Sequence, residues 1–168
     1  MQEKSVSSQC VLGIGCGFPA PVDNRSFVRN CVNLGIKDIY PGKEMEKRMP
    51  GLIVRIGNDA NIAALGEMWQ GSGQGRRNLL LVTLGTGVGS GIVIDGKIVS
   101  GRHGIAGEIG HFMVDPLETE HCSCGGTGHL NQIASVPGIL RYARKFLQED
   151  KRPSVLREKE DFDGADLT

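Results

Sequence analysis

Between Asn78 and Val99 the chain reads NLLLVTLGTGVGSGIVIDGKIV, and no other stretch constrains the fold as strongly. Asn78 to Thr83 is apolar and β-rich and reads as a strand. It feeds Leu84-Gly85-Thr86-Gly87-Val88-Gly89-Ser90-Gly91, after which Ile92-Val93-Ile94 reads as the next strand. Asp95-Gly96 is a two-residue hairpin signal, with Lys97-Ile98-Val99 returning. No helix follows the glycines, which argues against the dinucleotide-binding fingerprint, because that motif opens a helix. In a strand–glycine turn–strand unit the backbone N–H groups of Gly85, Thr86, Gly87, Val88 and Gly89 can point at phosphate oxygens, and glycine removes side chains that would block them. A plain glycine hairpin is the alternative.

A second strand leads into a helix. Leu52 to Ile56, LIVRI, is β-rich and runs straight into Gly57-Asn58-Asp59-Ala60-Asn61. Ala60, Ala63, Ala64, Leu65 and Met68 then recur at helical spacing through Trp69. Asn58 and Asp59 therefore sit at the rim of a sheet, where α/β ligand sites form. On local grounds alone, Asp59 reads as a helix cap. Upstream, Val11 to Gly17 reads as a buried strand whose glycines suggest a close approach to the backbone, and Phe18 to Asp23 as a rigid turn. Lys43 to Arg48 is a short solvated helix stopped by Pro50-Gly51. Gly101 to Gly110 is irregular, and Phe112-Met113-Val114 a short strand. Pro137 to Gln148 is a helix with an apolar stripe at Ile139, Leu140, Ala143, Phe146 and Leu147 and a solvated basic face. In the charged tail Ser154-Val155-Leu156 is an apolar patch, and Asp166-Leu167-Thr168 looks like the beginning of a helix.

All four histidines lie between His103 and His129, together with Cys122 and Cys124. Thiolate and neutral imidazole are the ligands that tetrahedral zinc prefers. Cys122-Ser123-Cys124 is tight, Gly125, Gly126 and Gly128 let the backbone fold round an ion, and His129 returns a further donor. The expected ligands are His111, Cys122, Cys124 and His129, with His121 as a substitute. The alternative is a glycine-rich polar loop with unliganded cysteines.

Composition narrows the remaining classes. Hydrophobic content of 39% with 23% charged residues suits a soluble globular chain with one core of ordinary size. A formal net charge of zero points to neither nucleic acid nor an anionic membrane as partner. The first nine residues are polar and unlike a signal peptide, and no apolar stretch is long enough to span a bilayer. Five cysteines, an odd number, argue against a secreted disulfide framework and for a reducing cytoplasm. Cys10, Cys16 and Cys31 read as buried small apolar residues.

Four stretches resemble one family. GNDANIAALGE is similar to the E-N-D-A-N-x-A-A-x-G-E of the ROK family of sugar kinases and related repressors, with Gly57 in place of the glutamate. GEIGH followed by C-S-C-G-G-T-G resembles the family's C-x-C-G-x-x-G-C-L-E, with His129 for a cysteine ligand and Asn131 for a glutamate that contacts the sugar. F-P-A-P-V-D resembles its G-x-P-G-P-V-D loop, and Asn33-Leu34-Gly35 its N-L-G. The similarity runs from roughly Val11 to Asp150.

The resemblance implies an α/β, actin-like ATPase or ribonuclease H-like fold with two lobes around a cleft. The chain would be the central portion, residues 1–168, with parts of both lobes and a zinc loop at about 107–132. The family's N-terminal D-x-G-G-T phosphate loop and C-terminal helices have no counterpart here, so the 168 residues are expected not to phosphorylate a hexose unaided. The implied activity is an ATP-dependent hexokinase, most like a glucokinase acting on the 6-hydroxyl of glucose with Mg²⁺. Asp59 would be the base, and Asn58, Glu108, His111 and Asn131 the sugar contacts. Gly85 to Gly89 would hold phosphate, and structural zinc would shape the sugar loop. The resemblance also implies a homo-oligomer, a dimer, for the full-length protein. A sugar-sensing repressor domain and a catalytically dead remnant are the alternatives.

Overall fold

The computed structural model describes residues 10–23, 26–31, 34–159 and 161–167. Asn33 of the N-L-G match, the polar stretch 1–9 and Thr168 lie outside the described residues. Two compact units are present, Met1–Leu81 with Gly91–Gly107, and Val82–Ser90 with Glu108–Thr168.

In the first unit, strands β1 (Gly13–Phe18) and β2 (Ile53–Asn58) pair in parallel, Gly13 opposite Ile53 and Phe18 opposite Asn58. Gly13 is required by this pairing, since a Cβ there would stand 2.6 Å from the Ile53 carbonyl oxygen. The close approach expected of these glycines is thus made, at Gly13, by the neighbouring strand. The expectation of a buried strand is corrected. β1 alternates exposed and half-buried residues, because the two-stranded sheet leaves one of its faces open.

Helix α1 (Pro41–Arg48) begins two residues before the charged run, because proline fits the first helical turn, where its missing N–H costs nothing. Its Gly42 lies against β2, with Ile56 Cγ1 3.3 Å from where a Cβ would be. The core of this unit is Ala20, Val22, Val28 and Cys31, flanked by Phe18, Ile36 and Ile56. Of the three cysteines expected to be buried, only Cys31 is; Cys16 is half-buried and Cys10 exposed.

Helix α2 (Asp59–Gln70) follows β2 without a loop. Strands β3 (Leu79–Leu84), β4 (Val88–Ile94) and β5 (Lys97–Ile98) form a second sheet in that order. The Asp95-Gly96 turn is as expected, with both residues at positive φ, 51° and 75°, and Val93 opposite Ile98. β4 starts at Val88, four residues earlier than the sequence suggested, so only Gly85-Thr86-Gly87 is left as turn. Gly91 serves packing. A Cβ there would stand 2.6 Å from both the Ala60 oxygen and the Ala64 Cβ of α2.

The second unit holds a 3₁₀ turn at Ile109–His111 and helices α3 (Leu130–Ala134) and α4 (Val136–Glu149). Ser135 caps α4 by accepting the Gly138 N–H at 3.2 Å. The expected strand at Phe112–Val114 is reduced to one bridge, Met113 with His129, plus the Val114 N–H to the Gly128 oxygen at 2.8 Å. The three side chains are exposed, and the loop follows the turn at Gly128 (φ 72°) instead of extending. The tail forms two 3₁₀ turns, Val155–Glu158 and Gly164–Leu167, and buries Phe162.

The basic face of α4 is not simply solvated, which corrects the sequence expectation. Arg144 binds the Asp161 carboxylate at 2.9 Å and covers the Phe162 ring. Arg141 donates to the buried Glu118 at 2.5 Å and to the Gln132 oxygen at 2.8 Å. Glu118 also accepts from the Glu120 N–H and the Tyr142 hydroxyl, both at 2.9 Å. These donors, the Glu120 N–H foremost and Arg141 next, outweigh burial and bring the Glu118 carboxyl down to about 2.

A folded-state pKa below the unfolded value means that the carboxylate stabilises the fold above about pH 4.5, and that this contribution is lost as pH falls toward 2. Glu118→Gln is expected to cost about 2 kcal/mol at pH 7. Urea titrations at several pH values should show the two proteins converging below about pH 4. A deficit that persists unchanged at pH 3 would count against a charge-based clamp.

Candidate functional site

Three chemical groups stand out. The first lies where β2 becomes α2. The N-cap of α2 is Asn58, whose Oδ1 accepts the Asn61 N–H at 3.0 Å and whose Nδ2 reaches the Ala20 oxygen at 3.4 Å. Asp59 is the first helical residue and is exposed, its Oδ1 taking the adjacent Ala60 N–H at 2.8 Å. The capping role that local pattern gave to Asp59 therefore belongs to Asn58. An acid in the first turn is also favoured by the helix dipole. Asn61 is buried, and its Oδ1 has no hydrogen-bond partner among the described residues.

The second group is the glycine turn. The Gly85 N–H donates to the Gly87 oxygen at 2.9 Å, and the Gly85 oxygen accepts the Val136 N–H of α4 at 2.9 Å. The Val88 N–H donates to Asn131 Oδ1 at 2.6 Å. Of the five residues named for phosphate, Gly85 and Val88 thus spend their N–H groups within the chain. Thr86 and Gly87 remain as the turn residues whose N–H groups can meet a ligand. Gly89 lies within β4.

The third group is the histidine–cysteine cluster. His111, Cys122, Cys124 and His129 each offer a ligand atom, and these atoms lie within 4.8 Å of one another. Cys122 Sγ is 3.6 Å from His111 Nδ1, and Cys124 Sγ is 3.4 Å from His129 Nδ1. The two imidazoles meet edge to face, 88° apart. Tetrahedral zinc with Zn–S near 2.3 Å and Zn–N near 2.0–2.1 Å separates its ligand atoms by about 3.3–3.8 Å, so the two sulfur–nitrogen distances fit such an ion, and the widest pair would draw in on binding. Gly126 makes room, since a Cβ there would come within 2.6 Å of the His129 ring.

Burial pushes the Cys122 thiol up. The Cys124 N–H, His129, the Cys124 thiol and the Asn131 amide outweigh it and bring the thiol down to about 6. Glu108 Oε2 lies 3.9 Å from His111 Nε2, the ring nitrogen turned away from Cys122. A carboxylate beside the outer nitrogen of a ligating imidazole orients it and raises its basicity. His121 pairs with Thr127 and stands outside the cluster.

Sequence reasoning missed the roles of three residues here. Asn131 is tied to Val88, and Gly110 lies against both of them: a Cβ on Gly110 would collide with the Val88 carbonyl and the Asn131 amide. Glu118 was an unremarked loop acid. Its one sequence signal is its place in a loop that must return to a helix rich in arginine.

Comparison with known proteins defines the class that such a fold and such groups belong to. The sequence profile of the ROK family matches residues 1–167. A glucokinase of Halalkalibacterium halodurans is 44% identical over 96% of this chain and 52% of its own length. The crystal structure of a ROK family glucokinase from Streptomyces griseus, in complex with glucose and AMPPNP, superposes with a TM-score of 0.72 at 38% identity, covering 83% of this chain and 44% of that one. A ROK family transcriptional regulator, a homologue of the E. coli MLC protein, superposes with a TM-score of 0.81 at 33% identity, covering 94% of this chain and 39% of that one. The chain belongs to the ROK family and has its actin-like α/β fold. It spans about half the length, or less, of the relatives it matches. Among the described residues no helix is long and apolar enough to cross a membrane.

Proposed function

We propose that this chain carries the sugar-handling part of an ATP-dependent hexose kinase, with glucose the first candidate substrate. The observation that carries this reading is the β2–α2 junction: Asn58 serves the helix, which leaves Asp59 exposed at the sheet rim. A sugar hydroxyl is a poor nucleophile near neutral pH, and a carboxylate within hydrogen-bond reach can take its proton as the γ-phosphoryl group departs. Asp59 is assigned that proton. Glu108 and His111, with Asn58, are assigned the sugar hydroxyls, and the Thr86 and Gly87 N–H groups the phosphate oxygens. Mg²⁺ arrives with ATP and is assigned to none of the described residues.

His111, Cys122, Cys124 and His129 are assigned to one zinc. Four protein ligands leave no open position, so the ion supplies rigidity to the loop and takes no part in proton transfer. The proposed domain assignment, a central portion with a zinc loop at about 107–132, follows from the same residues. The second reading, a sugar-sensing repressor domain, draws support from Asn131, an amide at a position where the kinases have a carboxylate, and from the similarity to the regulator.

The test grafts residues 1–168 into the matching span of the Halalkalibacterium halodurans glucokinase, and assays ADP release with glucose and Mg-ATP. Turnover in the ordinary kinase range of about 1–100 s⁻¹ is expected from the graft, and none from the 168-residue chain alone. A graft that binds glucose but does not turn over would favour the repressor reading.

A further inference from the structure

Asn131 occupies a junction between three segments. Its Oδ1 accepts the N–H of Val88, the β4 residue that follows the glycine turn, at 2.6 Å, while its Nδ2 faces Cys122 Sγ at 3.9 Å. Gly110 closes the third side, and a Cβ at Gly87 would also stand 3.3 Å from Asn131 Oδ1. The junction is bracketed by donors of the cluster. Gly110 immediately precedes His111, and Asn131 lies two residues after His129, which is the N-cap residue of α3. The Leu130 N–H donates to the Phe112 oxygen at 2.9 Å, tying the start of α3 to the His111 segment. Whatever fixes His111, Cys122 and His129 relative to one another therefore fixes the Asn131 amide as well.

We propose that Asn131 is a positioning residue that transmits metal occupancy of the cluster to the glycine turn, by holding the Val88 N–H and with it the conformation of Gly85–Val88. This rests on the zinc assignment above, but not on the assignment of a base or of a hexose. An ion drawing the four donors together holds both ends of the Gly110–Asn131–Val88 contact. Without it the loop carrying Cys122, Cys124 and His129 relaxes, and the amide acceptor leaves Val88. An amide suits the position better than a carboxylate, because it offers an acceptor to a backbone N–H and a donor to sulfur at once.

The readout is amide hydrogen exchange at Val88, followed by NMR on the 168-residue protein, with zinc content measured in parallel. Removing zinc by chelation is expected to speed Val88 exchange at least about tenfold, and re-addition to restore it. Asn131→Leu should show the same rapid exchange while still binding about one zinc per chain, and chelation should then add little at Val88. Asn131→Asp, which keeps an acceptor for the N–H, should rescue protection in the zinc-loaded form. It also serves as the comparison if Asn131→Leu fails to fold.

Unchanged Val88 protection in zinc-free wild-type protein would overturn the inference while leaving the zinc assignment intact. Protection that survives in Asn131→Leu would do the same. Protein that takes up no zinc at all would instead remove the zinc assignment itself, and this inference with it. Failure of the protein to bind AMP-PNP, with Val88 still zinc-dependent, would count only against the phosphate assignment of the turn.

Discussion

Replacing Asp59 with asparagine is expected to lower hexose phosphorylation by about 10² or more while leaving sugar affinity almost unchanged. The amide keeps the shape and hydrogen-bonding capacity of the side chain but cannot accept the hydroxyl proton. Because Asn58 caps α2, the substitution removes no cap from the helix. Asp59 Oδ1 is bonded only to the adjacent Ala60 N–H among the described residues, and an asparagine oxygen can take that bond over. Loss of favourable charge at the helix start costs about 0.3–1 kcal/mol, too little to unfold the protein. Steady-state kinetics on the graft, with glucose binding followed by calorimetry, separates chemistry from binding. A kcat near wild type would remove Asp59 as the base. A large rise in KM at unchanged kcat would move it to the sugar-binding set.

The parts of this molecule that could be read from the sequence are those whose signal is local. Asp95-Gly96 forms the expected turn because left-handed backbone at both positions favours this pair of residues. The strand-to-helix junction at Asn58-Asp59 was legible because asparagine beside a helical repeat is a capping signal, although the pattern could not say which of the two residues caps. The convergence of His111, Cys122, Cys124 and His129 was legible because histidine and cysteine are scarce and all the candidates fell within one stretch.

What stayed hidden depends on contacts distant in sequence. Gly91 looks like part of a phosphate loop until Ala60 and Ala64 are seen against it. Glu118 and Arg141 are 23 residues apart, and nothing in either neighbourhood pairs them. Asn131 and Val88 are 43 apart, and the family resemblance, which points the amide at a sugar, says nothing of this backbone N–H. The open face of β1 was missed for the converse reason. Apolar composition predicts a strand but not how many neighbours cover it.

Cys122→Ser/Cys124→Ser is expected to abolish zinc binding, taking metal content from about one ion per chain to none, and to lower the melting temperature by about 6–12 °C. The figure takes about 3 kcal/mol of lost metal linkage, as for free zinc at about 100 times its Kd, at about 2–4 °C per kcal/mol for a chain of this size. Cys122 is buried and Cys124 exposed, so one edge of the cluster lies within the loop and the other at its surface. Serine keeps the shape of each side chain, slightly smaller, but offers a hard, protonated oxygen where zinc prefers a thiolate. Chelation of the wild type should produce the same shift, and adding zinc should reverse it in the wild type alone. His129→Ala should lose the metal and His121→Ala should keep it, because His121 lies against Thr127 and outside the four converging donors. Retention by His129→Ala with loss by His121→Ala would replace one ligand in the set. A metal-free wild type with an unchanged melting temperature would remove zinc altogether, and the four donors would then be a hydrogen-bonded cluster of two thiols and two imidazoles.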